Sequence, residues 1–388
     1  VYCGESFMLG QLAAPKSLCV LRLSAIGDVC HAVAAVQSIQ QQWPHTQITW
    51  VCGKVEANLL KGLKKVEIIV FDKSAGFKGY SDFSHLMKGQ HFDILLHMQV
   101  ALRASLVSFH IPAKIKIGFD AKRAKEGQWI FSHHRIEPQA QPHVLDGFMG
   151  FTQALGLTVS EPVWDMPLSI EDEQWAHTTL LTENDKPVAI ISPAASKAER
   201  NWHIKGYCQA ADYLAQLGFH VVVCGGPTAM EKQLALDICQ DSSAPVTNLV
   251  GKTSLKQLLA VLKLAHITIA PDTGPAHMSV TVGTPVIGLY AHSNPRRTGP
   301  YLYQKYVVSC YDQVIEEQKG KPYTQLPWGV RAKGRNLMQR LGFDDVKAKI
   351  DLLIEDFYPE LLTKQVKVEL LKNESDLINF NAATNPID

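Results

Sequence analysis

The sequence predicts two doubly wound α/β domains facing one another across a cleft, and three observations carry that expectation. Short apolar runs alternate with helical periodicity from Lys16 onward, the alternation breaks in a Pro-rich and acidic stretch at 158–187, and after it the pattern restarts. A length of 388 residues suits two domains rather than one, at about 100 to 200 residues each. The expected boundaries are 1–165 for a first domain, 166–187 for a linker, 188–343 for a second domain, and 344–388 for a terminal helix and tail.

In the first half, residues 18–23, 48–52, 66–71, 94–97 and 115–118 read as strands. Between them 29–42, 55–63, 80–88 and 101–108 read as helices, the first stopped by Pro44. Pro162, Pro167, Pro187 and the run Glu171-Asp172-Glu173 suit a bridge between domains. Strands are then expected at 188–192, 220–224, 267–270 and 286–290, with helices at 205–217, 229–239, 255–264 and 275–282. Residues 344–357 read as one more amphipathic helix, followed by a polar, loose tail. Strands of this kind present ligands beyond their carboxyl ends, so the chemistry is expected in the shared cleft.

Composition excludes several classes. Lys and Arg number 38 against 37 Asp and Glu, which rules out a strongly basic protein that coats nucleic acid. The longest apolar runs are strand-length, far short of the roughly 20 residues of a membrane span. The first fifteen residues lack a secretory pattern, and Met8 offers an alternative start. Eight cysteines, at 3, 19, 30, 52, 208, 224, 239 and 310, form no C-x-x-C pair, so reduced and mostly buried thiols in a cytoplasm are expected.

After the first strand, Arg22-Leu23-Ser24-Ala25-Ile26-Gly27-Asp28-Val29 turns at Gly27 and enters a helix, which sets Asp28 at a helix start facing the cleft. Asp28 either caps that helix or acts as a general base toward an acceptor hydroxyl. A dinucleotide-binding dehydrogenase does not fit. Residues 24–31 hold one glycine rather than G-x-G-x-x-G, and no acid ends the next strand at Val51-Cys52-Gly53.

The run Pro271-Asp272-Thr273-Gly274-Pro275-Ala276-His277 follows a strand and opens a second helix, with Pro275 in its first turn. Free N–H groups and the positive helix end there suit a diphosphate. Thr273 and His277 can donate to phosphate oxygens, whereas the charge of Asp272 suits it to sugar hydroxyls. The competing reading makes Asp272 or Thr273 a cap and His277 a satisfied, half-buried histidine. Two further loops point at the same cleft. Pro193 to Trp202 supplies Ser196, Lys197 and Arg200, a hydroxyl and two cations, one of them toward a leaving diphosphate. Gly225 to Glu231 supplies a carboxylate, Glu231, for ribose hydroxyls.

At these residues the sequence resembles the heptosyltransferase family of lipopolysaccharide core assembly, inverting GT-B glycosyltransferases of family 9 that use ADP-heptose. The resemblance spans about 16–345 and also rests on Gly283-Thr284-Pro285-Val286-Ile287-Gly288-Leu289-Tyr290 and Asn294-Pro295-Arg296-Arg297-Thr298-Gly299-Pro300. It implies a GT-B fold, two Rossmann-like domains across a cleft, with Asp28 as catalytic base. It implies that Ser196 and Arg200 hold the ADP diphosphate, that Glu231 lies near the ribose, and that Thr253 lies near the adenine. Asp272, Thr273, Gly274 and His277 match its donor loop. The better-known first heptosyltransferases carry Thr-Thr where Ala195-Ser196 stands and Lys where Arg200 stands. Arg still neutralises phosphate bidentately. The opening Ser-Ala-Ile-Gly-Asp-Val-Cys-His is most similar to the heptosyltransferase I branch thought to act on a phosphorylated Kdo.

The reaction the resemblance implies has Asp28 take the proton of a Kdo hydroxyl, which attacks the anomeric carbon and expels ADP with inversion. No cofactor or metal is expected, since no His/Asp/Cys cluster has metal-ligand spacing. The acceptor, a Kdo-lipid A at the cytoplasmic face of the inner membrane, is expected on the first domain. Residues 103–143 hold seven Lys or Arg against three acids, and Arg123, Lys125 and His143 are the candidate contacts. Trp129 and Phe131 are expected in the core, with contact to lipid as the alternative. A monomer is expected. The rival enzymatic reading is a transferase or epimerase using another nucleotide sugar, or a transferase acting at a later core heptose. The rival non-enzymatic reading is a scaffold that binds the acceptor without turnover.

Overall fold

The computed structural model describes residues 13–181 and 186–361. Strands β1 (Ser17–Leu21), β2 (Gln47–Gly53), β3 (Val66–Phe71), β4 (Phe92–His97), β5 (Ala113–Gly118) and β6 (His134–Arg135) form a parallel sheet in the order β3-β2-β1-β4-β5-β6. A second parallel sheet repeats that order: β7 (Val188–Ile191), β8 (His220–Val223), β9 (Val246–Asn248), β10 (Ile267–Pro271), β11 (Val286–Tyr290) and β12 (Val308–Ser309) run β12-β11-β10-β7-β8-β9. In each half the order reverses beside the first strand, which is where a doubly wound sheet opens a ligand crevice. The central strands are buried on both faces, so they read as unbroken apolar runs such as Leu18-Cys19-Val20-Leu21.

The crossovers of the first half are α1 (Ile26–Gln42), α2 (Lys54–Leu60), α3 (Gly76–Leu86) and α4 (Leu102–Phe109), and α5 (Val144–Ala154) follows its last strand. After them come α6 (Ile170–Leu180), α7 (Ile204–Gln216), α8 (Ala229–Asp241), α9 (Leu255–Leu264), α10 (Gly274–Thr281), α11 (Pro295–Thr298), α12 (Tyr311–Lys319) and α13 (Phe343–Phe357). Each expected strand and helix is present, with its ends shifted by a few residues. The polar tail, Met8 and Cys3 lie outside the described residues. The other seven cysteines are free thiols, five of them buried.

Two expectations change. The bridge at 166–187 contains α6, whose acidic run is the first turn of a helix: Ser169 caps it by accepting the Asp172 N–H, and Glu171, Asp172 and Glu173 face the positive end. Ala176 and Leu180 are buried as α6 packs on α9. Helix α13 packs on α7, β11 and β12, so residues 343–357 are part of the second domain rather than an appendage. One apolar cluster joins the halves, running from Val29, Val33 and Val36 of α1 to Leu258, Leu259 and Leu262 of α9 and Met278 of α10. Its effect is to press the starts of α1 and α10 against each other at the mouth of the cleft.

Candidate active site

Asp28 is the third residue of α1. The helix cap is Ala25, which has no side-chain oxygen, and its N–H donates to Asp28 Oδ2 at 3.4 Å. Capping is therefore real but weak. The stronger partner is Arg22, whose Nη2 forms an ion pair with the same Oδ2. Arg22 is itself fixed: Nη1 donates to the Met98 carbonyl at 2.7 Å, and the guanidinium lies over the Phe148 ring. Asp28 faces both of the large cavities of the cleft.

Across the cleft, α10 starts at Gly274 with Pro275 in its first turn. Thr273 is the N-cap, yet its hydroxyl makes no capping bond. Thr273 Oγ1 and His277 Nδ1 are both buried without a hydrogen-bond partner, at a helix start, where the first N–H groups have no acceptor within the helix. Buried polar atoms are rarely left orphaned unless something occupies the space they face. Asp272 is used differently from the sugar-hydroxyl role anticipated for it. Ser293 Oγ donates to its Oδ2 at 2.7 Å, and His277 Nε2 stands 3.6 Å from Oδ1. Burial alone would raise the Asp272 carboxyl, but the His277 contact, the Ser293 hydroxyl and Arg331 together hold it below its ordinary value. Asp272 thus orients His277.

The two helix starts meet through glycines. A Cβ at Gly27 would sit 3.1 Å from His277 Cγ, with Cδ2 nearer still, and one at Gly274 would sit 3.2 Å from Ile26 Cγ2. Gly27, which the sequence suggested as a turn, is required by the close approach of the opposite domain.

The first cavity, about 860 Å³, is walled by Asp28, Ser196, Arg200, Glu231, Thr253, Asp272, Thr273, Gly274 and His277, so the structure brings every expected donor residue together. Of the two cations on the 193–202 loop, Arg200 is on this wall and Lys197 is not. Burial pushes the Arg200 pKa down, as does Arg331, while Asp272 opposes them. Glu231 is partly engaged: it accepts Gly226 N–H at 2.8 Å and the Thr228 hydroxyl at 2.5 Å, a capping box for α8.

The second cavity, about 740 Å³, is lined by Arg22, Lys122, Arg123, Lys125, His143 and Arg297. Arg123 pairs with the buried Asp120 through Nε and lies over the Phe119 ring, leaving Nη2 without a partner. His143 corrects its assignment as an acceptor contact. The Leu145 N–H donates to Nδ1 at 3.0 Å, so Nε2 carries the proton and donates to the Gly299 carbonyl at 2.9 Å. Both nitrogens are committed, and the residue caps α5 while tying the domains together. Burial pushes its pKa down to about 4, against the smaller upward pull of the Gly299 bond. Trp129 is also corrected: it is 56% exposed, next to Ile130 at 66%, rather than packed in the core.

Sequence reasoning left Arg22, Arg297, Arg331 and Trp328 without roles. Arg297 stood within a quoted motif, but nothing set it apart from Arg296. Arg331 and Trp328 fall in a stretch with no periodicity. Pro327, Trp328 and Gly329 roof the second cavity, where Trp328 Nε1 donates to the Pro142 carbonyl at 2.7 Å.

The family model for glycosyltransferase family 9 (heptosyltransferase) matches residues 81–326. The chain is 44% identical over 333 residues to the lipopolysaccharide core heptosyltransferase OpsX of Haemophilus influenzae, covering 86% of this chain and 95% of that protein. Among solved structures it is similar to a glycosyltransferase family 9 protein from Veillonella parvula, with a TM-score of 0.72 at 20% identity over 88% of this chain and 97% of the other. It is also similar to the E. coli heptosyltransferase WaaC with ADP, with a TM-score of 0.67 at 19% identity over 87% of this chain and 99% of the other.

Proposed function

The chain belongs to glycosyltransferase family 9, as a GT-B heptosyltransferase of lipopolysaccharide core biosynthesis, and from that premise we propose that it moves heptose from ADP-heptose onto a Kdo residue of a Kdo-lipid A acceptor. The observation that carries this reading is the position of Asp28 on the wall shared by two cavities. One cavity offers orphaned donors at a helix start, and the other offers a cluster of cations.

In this mechanism the ADP diphosphate takes the free N–H groups at the start of α10 and the Thr273 hydroxyl, with His277 beside them and Ser196 and Arg200 on the adjoining loop of the same cavity. Glu231 has acceptor capacity left for a ribose hydroxyl, and Thr253 lies farther along toward the base. The Kdo hydroxyl enters from the second cavity. Asp28 takes its proton on Oδ1, the oxygen that neither Arg22 nor Ala25 uses. The hydroxyl oxygen bonds to the anomeric carbon as the bond to the diphosphate oxygen breaks. ADP leaves with that electron pair, and the configuration inverts. Arg22 holds Asp28 by its Oδ2 and so aims the other carboxylate oxygen into the cleft. Among the described residues no three His, Cys, Asp or Glu side chains are grouped to hold a metal ion, and charge on the departing ADP is met by Arg200 and the α10 start.

Peripheral contact with the inner membrane's cytoplasmic face is part of the same reading. Leu102, Leu106 and Phe109 are exposed at helical spacing on α4, and the Leu102 N–H bonds Glu126 at 2.7 Å, which sets this helix beside the loop of Trp129 and Ile130. Lys122 and Lys125 of that loop line the acceptor cavity. Apolar tips among cations suit an anionic lipid surface. Among the described residues no helix is long and apolar enough to cross a membrane.

The test is mass spectrometry of Kdo-lipid A, with and without a Kdo phosphate, after incubation with ADP-heptose. The native protein should add one heptose, and Asp28→Asn should add about a hundredfold less or none. Equal activity of Asp28→Asn would remove the base assignment. Transfer from a UDP- or GDP-sugar, or only to a heptose-bearing core, would replace donor or acceptor with those alternatives.

A further inference from the structure

The two neighbouring arginines of α11 have opposite environments. Arg296 is exposed and fully engaged: its two terminal nitrogens grip Asp312 at 2.9 and 2.8 Å, and it stacks over Tyr323. Arg297 points the other way. Its side chain lines both cavities, lies under the roof loop with Gly329 beside its Nε, and has no carboxylate within ion-pair distance among the described residues. The carboxylates that act on it from farther off are Asp28, whose Oδ2 is already held by Arg22, and Asp272, which accepts from Ser293 and faces His277. Arg331 and Arg123 are near enough to repel it. A largely buried guanidinium among other cations is unfavourable unless an anion joins it.

We propose that Arg297 is the specificity-determining residue of the transfer, binding an acidic substituent of the acceptor sugar, a carboxylate or a phosphate, and so placing the attacked hydroxyl at Asp28. The diphosphate of the donor has its own partners in Thr273, His277, Arg200 and the start of α10. On the acceptor side Arg123 spends its Nε on Asp120, and Lys125 is exposed. Arg22 is spent on Asp28 itself, which leaves Arg297 as the cation that shares both cavities with the base and has no ion-pair partner among the described residues. A hydroxyl and an acidic group on one small sugar ring are only a few ångströms apart, so an anion held by Arg297 delivers its neighbouring hydroxyl to Asp28. Its planar fork accepts a carboxylate or a phosphate in two parallel hydrogen bonds, which also fixes the ring's orientation.

This inference rests on the acceptor reading above, and the experiment separates the two. Initial rates are measured for the native protein, Arg297→Gln and Arg297→Lys on three acceptors: Kdo-lipid A, its Kdo-phosphorylated form, and a form whose Kdo carboxylate is converted to the amide. Calorimetric ADP binding and thermal melting confirm that the variants are folded. Arg297→Gln should raise the acceptor KM about tenfold to a hundredfold, the range of a lost charge-assisted hydrogen bond, while the ADP-heptose KM moves less than about twofold. Arg297→Lys should recover part of the loss. The substituent responsible is the one whose removal makes native protein and Arg297→Gln behave alike: the carboxylate in the amide arm, the phosphate in the unphosphorylated arm. A rise in the ADP-heptose KM instead, or native-like kinetics of Arg297→Gln on all three, overturns the inference. No transfer by the native protein to any of them removes the acceptor reading and this inference with it.

Discussion

Gly27→Ala sets a local gain against a tertiary loss, and the sign of the result decides which contact exists. Within a helix, alanine is favoured over glycine by up to about 1 kcal/mol, and by less in a first turn such as this one. Taken alone, the substitution stabilises the protein. Across the cleft, however, the new Cβ would lie 3.1 and 3.2 Å from His277 Cγ and Nε2, with Cδ2 nearer than 3 Å. Carbon atoms settle at about 3.5–4.0 Å, so the ring or one of the helices must retreat by about 1 Å. Overpacking of this kind costs about 1–3 kcal/mol. The net expectation is a loss of about 1–2 kcal/mol and a melting temperature lower by about 2–6 °C. His277 would also leave its place beside Asp272, 3.6 Å away, and a shift of about 1 Å in a positioning group lowers kcat/KM by as much as a hundredfold. Melting curves and ADP-release kinetics measure both effects. Gly274→Ala, whose Cβ meets only Ile26 Cγ2 at 3.2 Å and Cβ at 3.4 Å, should do less on both counts. A Gly27→Ala protein as stable as native or more so, with native kinetics, would show that the helix starts do not meet.

His143→Asn tests the domain tie through pH. The native imidazole has its pKa pushed from 6.5 to about 4, so on acidification the unfolded chain takes up the proton first, and stability is lost as pH falls from about 6.5 to about 4. At about 1.4 kcal/mol per pH unit this is worth at most about 3.5 kcal/mol; Asn, which can still cap α5, should flatten that part of a urea-melt pH profile, and an unchanged slope would refute the assignment. Replacing Trp129 and Ile130 together by Ser should weaken co-sedimentation with vesicles rich in anionic lipid about tenfold or more, without changing the melting temperature. Undiminished vesicle binding would place the membrane contact elsewhere.

Much of this architecture was legible because doubly wound parallel sheets bury their strands on both faces, and such strands stand out as apolar runs between helical periods. The donor loop was legible for a local reason: strand, short polar run, Pro in a first turn and helix are contiguous in sequence. What escaped is long-range. His143 has the residue type of a ligand, and only the approach of Leu145 and Gly299 shows both its nitrogens occupied. Arg296 and Arg297 are indistinguishable in sequence, and Asp312 separates their roles by taking one of them. Strands β6 and β12 have two residues each, too few for any alternation to register.

The site exists only where the halves meet, and this explains why its parts are scattered along the chain. Asp28 belongs to the first domain and the proposed diphosphate cradle to the second, yet Gly27 and Gly274 let the two helix starts touch. The second cavity is built likewise, with a floor from the first domain and a roof at Trp328 bonded to Pro142. His143 and Gly299 close the wall between them. If the domains part, Arg22 remains on Asp28 but Arg297 and His277 withdraw, leaving the base wet and without either substrate's anion beside it. A donor in the first cavity and an acceptor in the second each touch residues of both halves, and so each favours the closed arrangement. In that arrangement the hydroxyl, the anomeric carbon and Asp28 Oδ1 can come into line, with the cations already facing the charge that develops.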